Sequence, residues 1–421
     1  MSTQQRRAQE YLERIFQSQD MDTLQQRLQP KTENPAPSIP RDPRITEKTV
    51  AKRWQVLGAS ESVYEQLLDS QTDNQKDVYQ RNIENFIGTV KLPVGIAGPL
   101  RVNGLFAQGD YYIPLATSEA ALVASYSRGA TLISKAGGCT AMLLSEGVSR
   151  APGFAFKTLV EAGAFVAWAV GELDQFKTIA ESTSRFAKWQ DMRITVEGNH
   201  VYVNFEYRTG DASGQNMVTI ATHAICEYIK QNSPVPIEYS FIEANLSGDK
   251  KASAQSFQSV RGKKVTAEVT LSSELVHKVL HTTPQRMVDY WRMSAIGGVL
   301  SGTIGVQGHY ANGLAALYIA CGQDAACVSE SAVGVTRFEL NDAGGLYASV
   351  TLPNLIVGTV GGGTGLPSQR ACLEIMGLAG AGKAQALAEV CAALVLAGEL
   401  SIIGALCADH FARAHQQLAR G

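Results

Sequence analysis

Val201, Val203, Phe205 and Tyr207 alternate with polar residues. That period of two is the pattern of a strand with one buried face. Gly198-Asn199 just before it is turn chemistry, so residues 192–197 form its hairpin partner. Around this hairpin, 154–156 reads as a short strand and 158–180 as a helix. Residues 216–229 read as a second helix, ended before Pro234, and 237–242 as a last strand. The order β-α-β-β-α-β makes a ferredoxin-like unit of about 90 residues. It reads as an insertion, because Gly/Ala-rich sequence resumes on both sides of it.

Upstream, 4–17 and 21–28 have amphipathic helical spacing. Pro30, Pro35, Pro37, Pro40 and Pro43 then make a linker-like stretch that cannot be helical. Residues 46–68 return to helical period, with Val50, Trp54, Val56 and Leu57 on one side. From Glu84 the chain turns apolar, Gly-rich and irregular, then strand-like over 107–114. Downstream, 264–271 reads as a strand and 273–280, 284–300 and 311–321 as helices. Residues 336–340 and 347–352 form a hairpin around Asn341-Asp-Ala-Gly-Gly345. Residues 388–408 approach membrane length, but Glu389 and Glu399 interrupt them and the small residues suit tight packing, which predicts a buried core helix.

The expected fold class is therefore α+β: a large α/β domain split in sequence, an inserted ferredoxin-like domain and a helical N-terminal segment. The expected boundaries are 1–83 for that segment, 84–150 with 253–421 for the large domain, 151–241 for the insert and 242–252 for a connecting loop. Lys and Arg total 37 against 39 Asp and Glu, a net charge of −2, which argues against nucleic acid or a membrane surface as partner. Seven Cys without a CxxC pair, and a polar start without a signal peptide, predict a reduced, cytoplasmic, soluble chain with no metal site.

Several motifs carry competing readings. Thr117 or Ser118 can cap a helix opening at Glu119, whose carboxylate then either complements the helix dipole or serves as an acid. Gly377-Leu-Ala-Gly-Ala-Gly-Lys383 fits the phosphate-loop spacing, but Ala384 stands where the Mg²⁺-binding hydroxyl belongs. Gly210-Asp-Ala-Ser-Gly214 before a helix is either an ordinary turn or a seat for phosphates. Lys250 and Lys251 suit a solvated loop, Asp324 a helix end and His415 an exposed tail.

Taken together, these motifs are more specific. Glu84-Asn-Phe-Ile-Gly88, Leu92-Pro-Val-Gly-Ile-Ala-Gly-Pro-Leu100 and Ala116-Thr-Ser-Glu-Ala120 come first. Arg208-Thr-Gly-Asp-Ala-Ser-Gly-Gln-Asn-Met-Val218, Asp249-Lys-Lys251, Ala320-Cys-Gly-Gln-Asp-Ala-Ala326 and the glycine loop over 357–364 come after them. In this order the chain, from Glu84 to its end, resembles the class I-like catalytic portion of 3-hydroxy-3-methylglutaryl-CoA (HMG-CoA) reductases. The resemblance implies Glu119, Lys250, Asp324 and His415 as the catalytic set. It implies Glu84, Asn85, Arg150, Asn245, Lys251 and Asn312 around the substrate, with Arg150 on its free carboxylate. It implies Ser184, Arg185, Phe186, Asp211, Asn216, Met217, Gly361, Gly362, Gly363 and Thr364 around the cofactor.

The implied reaction reduces HMG-CoA to mevalonate and CoA with two NADPH, NADH being the alternative, through mevaldyl-CoA and mevaldehyde. Charge building on oxygen calls for a cation such as Lys250, a proton donor such as Glu119, and for the leaving thiolate a second donor such as His415. Burial, or the charge of Asp324, is expected beside Glu119 to keep it protonated. A homodimer or homotetramer with the site between subunits is also implied. Departures from the family pattern are Ser213 in place of Met, Arg292 near an expected lysine, and Phe411 and Gln416 in the tail. A rival reading is a catalytically impaired CoA-binding relative.

Overall fold

In the computed structural model, which describes residues 3–18, 20–31, 36–258 and 261–408, the chain separates into two units, Met1–Thr89 and Val90–Gly421. The first holds helices α1 (Thr3–Ser18), α2 (Met21–Leu28), α3 (Glu47–Leu57), α4 (Glu61–Leu67) and α5 (Ser70–Asn74). The helix expected over 46–68 is two, because Gly58 adopts the left-handed C-cap (φ 59°) that stops α3. Ile45, Val50, Trp54, Leu68 and Phe86 make its core. Arg53 is fully buried there and donates to the carbonyls of Pro40, Asp42 and Phe86. The proline stretch is thus partly pinned down, since a buried guanidinium must spend its donors on something. Glu84 and Asn85 belong to this unit, Asn85 with φ 52° just before the buried Phe86.

In the second unit the elements run β1 (Val94–Gly104), β2 (Gln108–Ala116), α6 (Leu122–Lys135), β3 (Cys139–Arg150), β4 (Gly153–Ala155), α7 (Leu159–Gly171), α8 (Leu173–Ser182), β5 (Lys188–Glu197), β6 (His200–Arg208), α9 (Gln215–Asn232) and β7 (Tyr239–Phe241). They continue with β8 (Gly262–Leu271), α10 (Ser273–Leu280), α11 (Pro284–Ser301), β9 (Gly305–Val306), α12 (Tyr310–Ala320), α13 (Val328–Ser331), β10 (Gly334–Leu340), β11 (Leu346–Leu355), α14 (Pro367–Ile375) and α15 (Ala384–Cys407). The sheet order is β7-β4-β6-β3-β8-β11-β10-β9, with β1 beside β2 and β3, and β5 beside β6.

The strands β7-β4-β6-β5 are all antiparallel neighbours, which is the ferredoxin-like arrangement the sequence order predicts. Its first helix is broken in two at Glu172. β3 ties this layer to the rest: its start pairs with β1 and β8, and Val148–Arg150 pairs with β6. Two hydrophobic clusters result. One gathers Val148, Phe154, Phe165, Phe205 and Ile229. The other surrounds α15.

α15 is the one described helix long and apolar enough to cross a membrane, and 89% of an 18-residue apolar stretch within it is buried in the protein. Its two acids explain themselves. Glu389 accepts from the N–H groups of Leu105, Phe106, Ala107 and Leu143. Glu399 accepts from the N–H groups of Gly308 and His309 and from the Thr336 hydroxyl. Buried carboxylates need such donors, and these fasten the helix to the β1–β2 turn and to the start of α12.

Candidate active site

Lys250 stands in the loop joining β7 to β8, where Asn245, Gly248 and Lys250 have φ of 66°, 72° and 55°. Left-handed backbone at a lysine costs about 1 kcal/mol, so something must hold it. Its ammonium lies 2.9 Å from Asp324 Oδ2. Asp324 follows α12 through a turn at Gly322 (φ 67°), and its Oδ1 accepts from the Ala326 N–H at 3.0 Å. The hydrogen bond to Asp324 pushes the Lys250 ammonium above its ordinary value. Burial pushes the Asp324 carboxyl up, but the bonds from Lys250 and Ala326 outweigh it and hold the acid below its ordinary value. Both side chains are two-fifths exposed or more, so solvent screens the pair and its use is orientation rather than stability.

Glu119 departs from expectation. Ala121 is left-handed (φ 68°) and α6 starts only at Leu122, so Glu119 precedes the helix instead of opening it. It sits in a turn closed by its own N–H donating to Thr117 Oγ1 at 2.9 Å. Its side chain is exposed, and the Asn312 amide, in the first turn of α12, reaches both carboxylate oxygens at 3.0 and 2.9 Å. Neither the expected burial nor an Asp324 contact is found at Glu119 within one chain, since Asp324 is engaged by Lys250. The structure thus builds two pairs, Glu119–Asn312 at the start of α12 and Lys250–Asp324 beyond its end. About 12 Å of helix separates Asn312 from Ala320.

Behind Lys250 lies a buried network that sequence reasoning missed. Asp249 bridges two arginines, 2.9 Å from Arg150 and 2.6 Å from Arg261. Both guanidiniums also donate to Gln215 Oε1. Arg150 reaches Glu243 as well, at 3.3 Å. Arg261 pairs with Glu330, and Glu330 Oε1 accepts the Lys250 N–H at 3.1 Å. Arg150, expected on a substrate carboxylate, is therefore buried with its terminal nitrogens taken, and its Nε has no partner. Asn245 and Lys251 are exposed; Asn245 N–H donates to Glu243, and Lys251 donates to the Asp249 carbonyl.

The expected cofactor residues fall into three places. Ser184, Arg185 and Phe186 occupy the α8–β5 loop, where the exposed Arg185 stacks 4.6 Å over the exposed Phe186 ring and has no carboxylate partner among the described residues. Asn216 and Met217 lie in the first turn of α9, which starts at Gly214 (φ 84°) without a side-chain cap. The glycine loop packs backbone to backbone on its neighbours. A Cβ at Gly322 would collide with the Gly363 carbonyl, and one at Gly358 would lie 2.5 Å from Ser213 N. Gln323 clamps Gly358 through both amide atoms. Gly361 and Gly362 face open space, and Thr364 is buried.

An exposed cation on an aromatic ring and an uncapped helix start suit a dinucleotide's phosphates. Asp211 does not: its carboxylate accepts from Gly382 and Ala384 N–H at 2.7 and 3.1 Å, capping α15. The same bonds occupy the loop of the phosphate-binding look-alike at Lys383. Arg292 is exposed, 3.5 Å from Asp289. His415, Phe411 and Gln416 lie outside the described residues.

Comparison with known proteins supplies the context. Residues 49–420 match the family model described as hydroxymethylglutaryl-coenzyme A reductase. A 3-hydroxy-3-methylglutaryl-coenzyme A reductase from Methanothermobacter thermautotrophicus is 45% identical over 81% of this chain and 86% of its own length. One from Aeropyrum pernix is 43% identical over 87% of each chain. Among solved structures, a class II HMG-CoA reductase of Streptococcus pneumoniae bound to NADPH in open conformations superimposes with a TM-score of 0.65 at 18% identity. The superposition covers 86% of this chain and 97% of that one. At that identity the likeness is one of fold. The chain belongs to the hydroxymethylglutaryl-coenzyme A reductase family.

Proposed function

We propose that this protein reduces HMG-CoA to mevalonate and CoA, consuming two NADPH and two protons. The observation that carries the reading is the Lys250–Asp324 pair, 2.9 Å apart on loops matching the family motifs. NADPH supplies the hydride for each of the two reductions. Arg185 and the uncapped start of α9 would take its phosphates, and the glycine loop, seated on the Gly322 turn, would face it. Each hydride addition builds negative charge on oxygen, and Lys250, held ammonium by Asp324, stabilises that charge without reorganising. Glu119, oriented by Asn312, donates the proton to that oxygen. His415 donates to the departing CoA thiolate.

A second copy completes the site in this reading, as a homodimer or homotetramer. Two pairs at opposite ends of α12, and an exposed Glu119 that needs desolvation to act as an acid, support it. The class I-like assignment is favoured by 43–45% identity to archaeal relatives against 18% to the class II structure. A cytoplasmic location suits seven buried cysteines, none of which forms a disulfide.

The test is direct. Purified protein with HMG-CoA and NADPH should oxidise about two cofactor equivalents per CoA thiol released. Thiol release without oxidation, or no turnover with either nicotinamide cofactor, overturns the proposal. His415→Gln should slow thioester reduction while sparing mevaldehyde reduction.

A further inference from the structure

One short segment touches Lys250 at both of its ends. Asp324 takes its ammonium at 2.9 Å. Six residues on, in α13, Glu330 Oε1 accepts its backbone N–H at 3.1 Å. Glu330 is 1% exposed and belongs to no family motif quoted for this chain. Its other oxygen is held by the Arg261 guanidinium and by Asn354 Nδ2 at 3.0 Å. Asn354 Oδ1 in turn accepts the Arg261 N–H. The carboxylate is therefore fixed from one side by β11 and from another by Arg261, and it presents its remaining lone pairs to the one N–H whose residue has φ 55°.

That backbone conformation is disfavoured for lysine. Its amide would otherwise be free to turn away, and the side chain would swing with it. A buried carboxylate beside an arginine is also costly to keep unless it is fully hydrogen-bonded. Arg261 and Asn354 leave Glu330 Oε1 for Lys250 alone among the described contacts.

We infer that Glu330 is the positioning residue of Lys250: it locks the left-handed backbone that aims the ammonium at Asp324 and at the oxygen being reduced. This builds on the role given to Lys250 above. Glu330 touches no reacting atom, so its removal should act on catalysis through the lysine's placement and leave substrate capture largely alone. The segment Asp324–Ser331 is then a two-point clamp, one carboxylate on the lysine's charge and one on its backbone.

Glu330→Asp tests this. It keeps a charge against Arg261 but withdraws the carboxylate by about one methylene, too far to serve Arg261 and Lys250 together. The expected result is a kcat about tenfold lower or more, with KM for HMG-CoA within about twofold. The second readout is the pH midpoint for acylation of Lys250, followed by mass spectrometry on the intact enzyme with neighbouring exposed Lys251 as internal reference. The groups facing the Lys250 ammonium are Asp324, Asp249 and Cys327. In the wild type the Lys250 midpoint should lie above a lysine's ordinary value, and in Glu330→Asp it should move down relative to the internal reference.

A variant with kcat within about twofold of wild type and an unchanged midpoint difference overturns the inference, and so does a loss confined to thermal stability. Should Glu330→Asp fail to fold, Asn354→Ser decides, because it loosens Glu330 without altering any charge; it should move both readouts in the same direction, less far. If the wild type shows no reductase turnover while the midpoint difference still collapses in the variant, the functional reading fails and the clamp stands.

Discussion

Glu399→Gln tests how the core reaches the site. Glu399 is fully buried in α15. Its Oε2 accepts from Gly308 N–H and the Thr336 hydroxyl, both at 2.7 Å, and its Oε1 from His309 N–H at 2.8 Å, with His309 Nδ1 3.2 Å away. Gln offers one oxygen, so whichever way the amide turns, one of the two backbone N–H groups faces an NH₂. A buried donor left unmet costs about 1–3 kcal/mol. The bonds that remain become neutral and lose about half their strength. Together these give about 3 kcal/mol, roughly a hundredfold in the constant for opening this junction.

The chain is too large for one two-state unfolding constant to isolate that loss, so amide hydrogen exchange at Gly308 and His309 is the assay. Exchange at both should quicken by about two orders of magnitude. Asn312 N–H donates to the His309 carbonyl at 3.1 Å, so kcat should fall with the junction while KM for NADPH holds. Exchange at both amides within about threefold of wild type would refute the reasoning.

Three further outcomes are expected. Because Asp324 is held below its ordinary 3.8 and Lys250 above its ordinary 10.5, the pair is fully formed between those values, breaking only as pH falls through the acid's lowered value or rises through the lysine's raised one; any limb in the kcat profile between about pH 5 and about pH 9 should therefore survive in Asp324→Asn, at lower rate, and its disappearance would contradict the pairing. Asp211→Asn weakens the cap on α15 and should cost about 0.5–2 kcal/mol of local stability there by hydrogen exchange, with NADPH affinity little changed; a large affinity loss at unchanged exchange would return Asp211 to the cofactor. Arg185→Ala should raise KM for NADPH by about tenfold through a lost phosphate contact, and equal kinetics would remove Arg185 from the cofactor site.

Periodicity made much of the fold legible. The helix read over 273–280 is α10 to the residue, and the hairpin around 341–345 closes β10 on β11. The alternation from Val201 to Tyr207 placed β6 at the middle of the ferredoxin-like layer. Breaks were less visible. Gly58 carried a C-cap signal inside a segment whose apolar spacing continued past it, and Gly171 marked the step at Glu172 in the same way, inside an apolar run that resumes at Leu173. The onset of α6 failed for a different reason. Thr117 does cap a turn, as its residue type suggests, but the turn closes on Glu119 and the helix waits for a left-handed Ala121. Alanine has no preference for that region, so only tertiary context could have put it there.

The same distinction runs through the site. Lys250, Asp324 and Asn312 enter through the resemblance to family motifs, and the structure pairs the first two and sets the third on Glu119. Arg261 and Glu330 were not legible in the sequence, because their contacts span 69 and 80 residues and neither lies in a pattern with a period. A buried ion pair has no local signature, since each member reads as an ordinary surface charge until its partner is known. Glu119 is the opposite case. Its residue type and neighbours mark an acid, yet its exposed carboxylate meets only the Asn312 amide among the described contacts. The motif that locates Glu119 therefore fixes its residue type and its Asn312 partner, and the donor role proposed for it rests on what a second copy and substrate would add.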